Sequence, residues 1–97
     1  KLVRTTSGSD TDVLLGDADG NRTRATMGGL SASDTWNVNH ESIEVLESPG
    51  AGTHTYSIHW KMISGYNPAY LNRSARDDNY NYASRTPSVI TVMEVAA

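Results

Sequence analysis

A run of strict alternation near the middle of the chain constrains the fold more than any other feature. Over residues 55–62 every second side chain is apolar or aromatic, and those between are polar. The apolar set is Tyr56, Ile58, Trp60 and Met62, and the polar set is Thr55, Ser57, His59 and Lys61. Since successive strand residues point to opposite faces of a sheet, this period predicts a strand with a core face and a solvent face.

Three further segments favour strands, and no segment repeats with the 3.6-residue period of a helix. Residues 42–48, 69–73 and 88–96 are short and β-prone, and Gly, Pro and Asn punctuate the chain between them. This pattern predicts a small all-β domain, an antiparallel sandwich or barrel.

The first part of the chain is more polar and predicts a separate segment. Asp19-Gly20-Asn21 is a turn nucleus between two extended pieces, and Gly28-Gly29 is the best hinge. We therefore divide the chain into an extended arm or hairpin over residues 1–29 and a β-sandwich over residues 30–97. The sequence begins at Lys1 without a methionine, so we expect a part or a processed form of a longer protein.

The last predicted strand is apolar on both sides, with Val89, Met93 and Val95 on one and Ile90 and Val92 on the other. A chain of 97 residues has little core with which to cover two faces. We therefore expect another subunit to cover the second face.

A carboxylate within this apolar strand, that of Glu94, needs a partner if it is buried. We predict an arginine partner, Arg73 or Arg85, within the chain or across subunits. The predicted subunit-interface residues are Ile90, Val92, Glu94, Arg73 and Arg85.

Charge and motifs exclude several classes of function. A net charge of −3 argues against nucleic-acid binding, and no apolar run is long enough to insert into a membrane. Asp17, Asp19 and Asn21 miss the calcium-loop pattern, because glycine falls at its fourth position instead of its sixth. Without cysteines, a nucleophile elbow or facing carboxylates, the sequence predicts no catalytic residue, metal or cofactor.

A polar loop over residues 76–85, RDDNYNYASR, is the best candidate for ligand binding. It combines aromatic rings, which stack on the apolar faces of sugars, with carboxylates and amides that bind hydroxyls. The predicted ligand-binding residues are Asp77, Asp78, Asn79, Tyr80, Asn81 and Tyr82. The alternative is an ordinary polar loop whose tyrosines pack on a neighbouring subunit.

Four sequence elements in fixed order resemble the C-terminal part of bacteriophage virion proteins, particularly those of marine and freshwater phages. They are a Leu-(Asp/Glu)-Ser-Pro turn at Leu46–Pro49, a Thr-Tyr-x-(Ile/Val) strand at Thr55–Ile58, a Tyr-x-Asn-Arg-Ser segment at Tyr70–Ser74, and an Arg-x-x-Ser-x-(Ile/Leu)-Thr-(Val/Leu)-Met-Glu-(Val/Ile) ending at Arg85–Val95. Residues 1–42 carry no such element.

This resemblance implies a small jelly-roll knob, similar to tumour-necrosis-factor and C1q heads, that assembles as a homotrimer with other virion proteins and has no enzymatic activity. Such a knob lies at the tip of a tail fibre or spike and attaches to host-surface glycans. The alternatives are a capsid decoration (cement) protein, whose arm would reach neighbouring capsomers, and a carbohydrate-binding module of a larger hydrolase.

Overall fold

The computed structural model describes residues 1–27, 40–61, 69–81 and 83–96. Three sequence predictions, the core position of Met62, the ligand role of Tyr82 and the Gly28-Gly29 hinge, lie outside these residues. The chain divides into two compact units, Lys1–Leu30 with Glu41–Tyr66 and Ser31–His40 with Asn67–Ala97.

The first unit contains a three-stranded antiparallel sheet, which confirms the all-β prediction at that level. Its strands are β1 (Leu2–Thr6), β2 (Ser9–Val13) and β3 (His54–Ile58), in the order β2-β1-β3. The strand predicted from the alternation is therefore present as β3. Residues 1–29, predicted as an arm or hairpin, begin with a hairpin that shares its sheet with β3.

The hairpin turns at Ser7-Gly8, a position that the sequence reading missed. Ser7 and Gly8 have φ angles of 50° and 81°, and Thr6 pairs with Ser9 across them. Positive φ at both central residues is the geometry that matches the twist of a two-residue hairpin. Glycine adopts it without strain, whereas serine does so less readily.

The predicted turn at Asp19-Gly20-Asn21 is present, but it does not join two strands. Arg22 N–H donates to the Asp19 carbonyl at 3.1 Å, and Gly20 has a φ of 53°. The turn lies at the tip of a loop closed by a 3.1 Å hydrogen bond from Gly16 N–H to the Ala25 carbonyl.

Thr26 ties the end of this loop back to the sheet. Its hydroxyl accepts from Leu2 N–H at 2.9 Å and donates to the Val13 carbonyl at 3.0 Å. Leu2 and Val13 are cross-strand partners, so the hydroxyl bridges a donor and an acceptor of the same ladder pair. One side chain therefore joins the loop to both strands of the hairpin.

The alternation of faces holds along β3, but the sheet has a buried side chain on each face instead of one core face and one solvent face. Ile58 is 41% exposed and Trp60, beyond the strand end, is 63% exposed. Val3 is buried and is paired with Ser57, on the face predicted to be polar and exposed. Val13 is buried on the other face, in the same row as Leu2 and Ile58. A period of two separates the faces of a strand, but tertiary packing decides which of them is covered.

The other predicted strands do not form within the described residues. Residues 42–48 and 88–96 pair with no described strand, and residues 69–73 contribute only an isolated antiparallel bridge between Arg73 and Arg85. A strand needs a hydrogen-bonded neighbour, which local β-propensity cannot supply. In residues 42–48 the burial still alternates, with Ile43, Val45 and Glu47 half-buried.

The terminal segment, residues 88–96, is exposed on both of its sides. Its large apolar side chains are between 55% exposed, at Ile90, and 80% exposed, at Met93. Coverage by another subunit stays a prediction, as do the jelly roll, the sandwich and the trimer.

Candidate functional site

The candidate site is a loop in the second unit whose two ends are held together by backbone pairing. Arg73 and Arg85 form an antiparallel bridge, and Thr86 N–H donates to the Asn72 carbonyl at 2.9 Å. The Ser88 hydroxyl donates to Asn72 Oδ1 at 2.5 Å. Residues 73–85 therefore form a closed loop.

Asp77 is the electrostatic centre of this loop. Arg85 donates two hydrogen bonds to its carboxylate, from Nε to Oδ1 at 3.0 Å and from Nη2 to Oδ2 at 2.6 Å. Arg73 Nη1 lies 3.8 Å from Oδ2. The Arg85 hydrogen bonds and the charges of both arginines lower the pKa of Asp77, and the same pairing raises the pKa of Arg85.

A buried serine and a second ion pair shape the middle of the loop. Ser74 is 1% exposed, and its hydroxyl donates to the Arg76 carbonyl at 2.6 Å. Arg76 Nε in turn donates to Asp78 Oδ2 at 2.6 Å. Two backbone hydrogen bonds, from Tyr80 N–H to the Asp78 carbonyl and from Ala83 N–H to the Tyr80 carbonyl, curve the chain after the carboxylates.

The curved loop encloses a shallow polar pocket of about 350 Å³. Its lining residues are Asp77, Asp78, Asn79, Tyr80, Ala83 and Arg85. Four of the six predicted ligand-binding residues thus come together, while Asn81 is exposed and is not part of the lining. Tyr80 is 57% exposed and is one of the lining residues.

Sequence reasoning placed Arg85 at a subunit interface and assigned no role to Ala83, yet both line the pocket. The charge pattern offered a signal for Arg85, because an arginine after two aspartates suggests a local ion pair. The sequence separation between Arg85 and the two aspartates does not specify which aspartate the arginine binds.

Both arginines predicted as partners of Glu94, Arg73 and Arg85, lie beside Asp77. Asp77 lies within the same closed loop, so the loop that joins it to each arginine is short. Glu94 itself is exposed. Its pairing with an arginine, within the chain or across subunits, stays a prediction.

A second polar cluster lies on the sheet of the first unit, and the sequence reading missed it. Glu47 accepts from Arg4 Nη1 at 2.7 Å and from the Tyr56 hydroxyl at 2.6 Å. The hydrogen bond from Tyr56 is the largest cause that lowers the pKa of Glu47. The hydrogen bond and the positive charge of Arg4 also lower this pKa, whereas partial burial opposes the shift. The carboxylate in turn raises the pKa of Tyr56.

His54 is anchored beside this cluster. Its Nδ1 lies 2.7 Å from Thr6 Oγ1, and its Nε2 lies 3.0 Å from the Gly50 carbonyl. Arg4 Nε is buried and has no hydrogen-bond partner among the described residues. Residues from three separate chain segments thus meet on one face, which gives the cluster a structural role.

The described ranges contain no group of three or more His, Asp or Glu side chains placed to hold a metal ion. None of the described residues belongs to a helix long and apolar enough to cross a membrane.

Comparison of the chain with protein-family models, with curated proteins and with solved structures found no match.

Proposed function

We propose that the chain is a structural module of a phage virion, a trimeric knob of a tail fibre or spike that attaches to host-surface glycans. In this proposal residues 77–85 form the attachment site and the apolar terminal segment takes part in self-assembly. The virion assignment rests on the sequence resemblance, whereas the attachment site rests on the geometry of the pocket.

The single observation that carries the proposal is the juxtaposition of an exposed aromatic ring with fixed hydrogen-bonding groups. Tyr80 offers a flat face, and Asn79 and Asp78 offer amide and carboxylate groups along the same pocket. Binding sites combine apolar or aromatic surfaces with a few well-placed polar groups in this way. A shallow, solvent-facing pocket suits one sugar of a surface polysaccharide better than a deeply enclosed small molecule.

The ion pairs of the pocket restrict the class of ligand that it can bind. Asp77 is bound by Arg85, and Asp78 is bound by Arg76. Because each carboxylate has a cationic partner, the pocket does not favour a cationic ligand, and it accepts neutral sugars through hydrogen bonds. The ion pairs also fix the carboxylates in place before binding, which limits the entropy cost of ligand capture.

The strand pairing of the first residues favours the knob over a capsid decoration protein. A decoration protein was expected to extend its first 29 residues onto neighbouring capsomers, but β1 and β2 already use residues 2–13 in the sheet. A carbohydrate-binding module of a hydrolase shares the chemistry of the pocket. It differs from the knob in being a monomer.

Glycan-array binding tests the attachment site directly. We expect Tyr80→Ala to abolish binding and Tyr80→Phe to retain most of it, since the phenylalanine keeps the stacking face. Asn81→Ala is the matched control, because Asn81 is exposed in the same loop but does not line the pocket. Binding that survives Tyr80→Ala, or no binding to any glycan, contradicts the proposal.

A further inference from the structure

The sheet has two outer edges that no described strand covers, and they differ in charge. The edge strand β2 carries Asp10 and Asp12, whereas residues 54–61 contain no acidic side chain. Charged side chains on an edge strand discourage the addition of another strand. The outer edge of β3 is therefore the less protected of the two.

Backbone hydrogen bonds show which groups β3 presents at this edge. Lys1 and His59 exchange two backbone hydrogen bonds, of 2.6 and 2.8 Å. Because hydrogen-bonded and non-hydrogen-bonded pairs alternate along an antiparallel ladder, Ser57 also directs its backbone groups toward β1. The N–H and C=O groups of Tyr56 and Ile58 point the other way, toward the outer edge.

The terminal segment, residues 88–96, has the properties of a strand that lacks a neighbour. It is β-prone and apolar, contains no proline and carries a single charge, at Glu94. Its apolar side chains are exposed within its own chain. Segments of this composition readily join an exposed sheet edge, where main-chain hydrogen bonds give the affinity.

We propose that residues 88–96 of a second copy of this chain add antiparallel to the outer edge of β3 as a fourth strand. This inference rests on the proposed self-assembly and specifies the surface that the terminal segment meets. The outer edge of β3 has no acidic side chain that would repel the Glu94 charge of the incoming segment.

Side-chain chemistry selects one register, with Ile90 opposite Ile58, Val92 opposite Tyr56 and Glu94 opposite His54. The first pair extends the apolar row that Val13, Leu2 and Ile58 form across the sheet. The third extends the polar row of Ser9, Thr6 and His54.

Other registers are less favourable. A shift by one residue moves Ile90 and Val92 to the opposite face, which carries Asp10 and Asp12. A shift by two residues that sets Glu94 opposite Tyr56 brings it beside Glu47, a like charge that is bound to the Tyr56 hydroxyl.

Disulfide trapping tests this pairing, and the chain has no cysteine to interfere. In the selected register Thr55 and Met93 form a non-hydrogen-bonded pair with Cα atoms about 4.5 Å apart, a separation that a disulfide spans. We expect a mixture of the Thr55→Cys and Met93→Cys proteins to form a mixed disulfide dimer. Thr11→Cys, on the edge of β2, is the matched control and should not trap Met93→Cys.

Proline variants test the same contact through its backbone hydrogen bonds, with the position of the disulfide unchanged. In the Met93→Cys protein, Val92→Pro removes an N–H that faces β3, and we expect the trapped fraction to fall about fivefold. Thr91→Pro removes an N–H that faces away from β3, so it should leave the trapped fraction nearly unchanged.

The possible results separate this inference from the proposed function. A disulfide that forms only within a Thr55→Cys, Met93→Cys double variant shows that the segment binds its own chain and overturns the inference. An oligomer without the mixed disulfide overturns the inference alone. A monomer at all concentrations, measured by light scattering, overturns both the inference and the proposed self-assembly.

Discussion

Replacing Glu47 with glutamine tests whether the polar cluster on the sheet holds the first unit together. The substitution keeps the size of the side chain but removes its charge. Tyr56 keeps an acceptor in the glutamine carbonyl oxygen, whereas Arg4 loses its anionic partner. Arg4 already has a buried Nε without a partner, so the variant leaves a poorly satisfied guanidinium.

The magnitude follows from the surroundings of the carboxylate. A hydrogen bond to a charged group contributes about 1.5–3 kcal/mol to stability. The Glu47 side chain is 22% exposed, and solvent screening reduces this contribution. We therefore expect Glu47→Gln to lower the free energy of unfolding by about 1–2 kcal/mol, which corresponds to a fall in Tm of about 5–10 °C for a domain of this size.

The pH dependence supplies an independent check. Because the pKa of Glu47 is lowered from its ordinary value of 4.5, its stabilisation is present above that value and is lost as the pH falls through the folded-state pKa. The difference between the wild type and Glu47→Gln should accordingly be full at neutral pH and shrink in acid.

Urea denaturation monitored by circular dichroism, repeated over a series of pH values, measures both quantities. Glu44→Gln is the matched control, since Glu44 is exposed in the same extended segment, and it should change stability by less than about 0.5 kcal/mol. Equal stability of Glu47→Gln and wild type at neutral pH, or a difference that persists undiminished in acid, would refute the reasoning.

Two further predictions concern the loops. Thr26→Val should lower the free energy of unfolding by about 1–3 kcal/mol in urea denaturation, because it removes the hydroxyl that bridges β1 and β2. Thr11→Val, at an exposed position of β2, should have little effect, and equal losses in the two variants would contradict the bridging role. Asp77→Asn should speed amide hydrogen exchange over residues 73–86 at neutral pH, because Arg85 loses its anionic partner, whereas Ser84→Ala in the same loop should not. Since the pKa of Asp77 is lowered, the exchange rate of the wild type should approach that of Asp77→Asn as the pH falls below the ordinary aspartate value of 3.8. If Asp77→Asn exchanges at the wild-type rate at neutral pH, the ion pair is not what constrains the loop.

The loop was predictable as a candidate site because its residue types are informative without knowledge of the fold. Tyrosines, asparagines and aspartates in one polar stretch indicated ligand binding, and four of those side chains line the pocket. Arg85 was assigned to a different role, because the sequence does not show that the loop closes and brings it onto Asp77.

The cluster around Glu47 could not be predicted in the same way. Arg4 and Glu47 are 43 positions apart, so no local pattern relates them. They meet because β1 lies between β2 and β3, which places Arg4 opposite Tyr56 on one face of the sheet.

The sequence by itself determined the all-β class and the position of β3, because both follow from residue types that repeat over a few positions. Only the tertiary structure decided which strands have neighbours, which side chains are buried and which aspartate binds Arg85. Those outcomes depend on pairings between distant segments. Residues 88–96 illustrate the difference, since their β-propensity is high and their own chain still leaves them without a described strand to pair with.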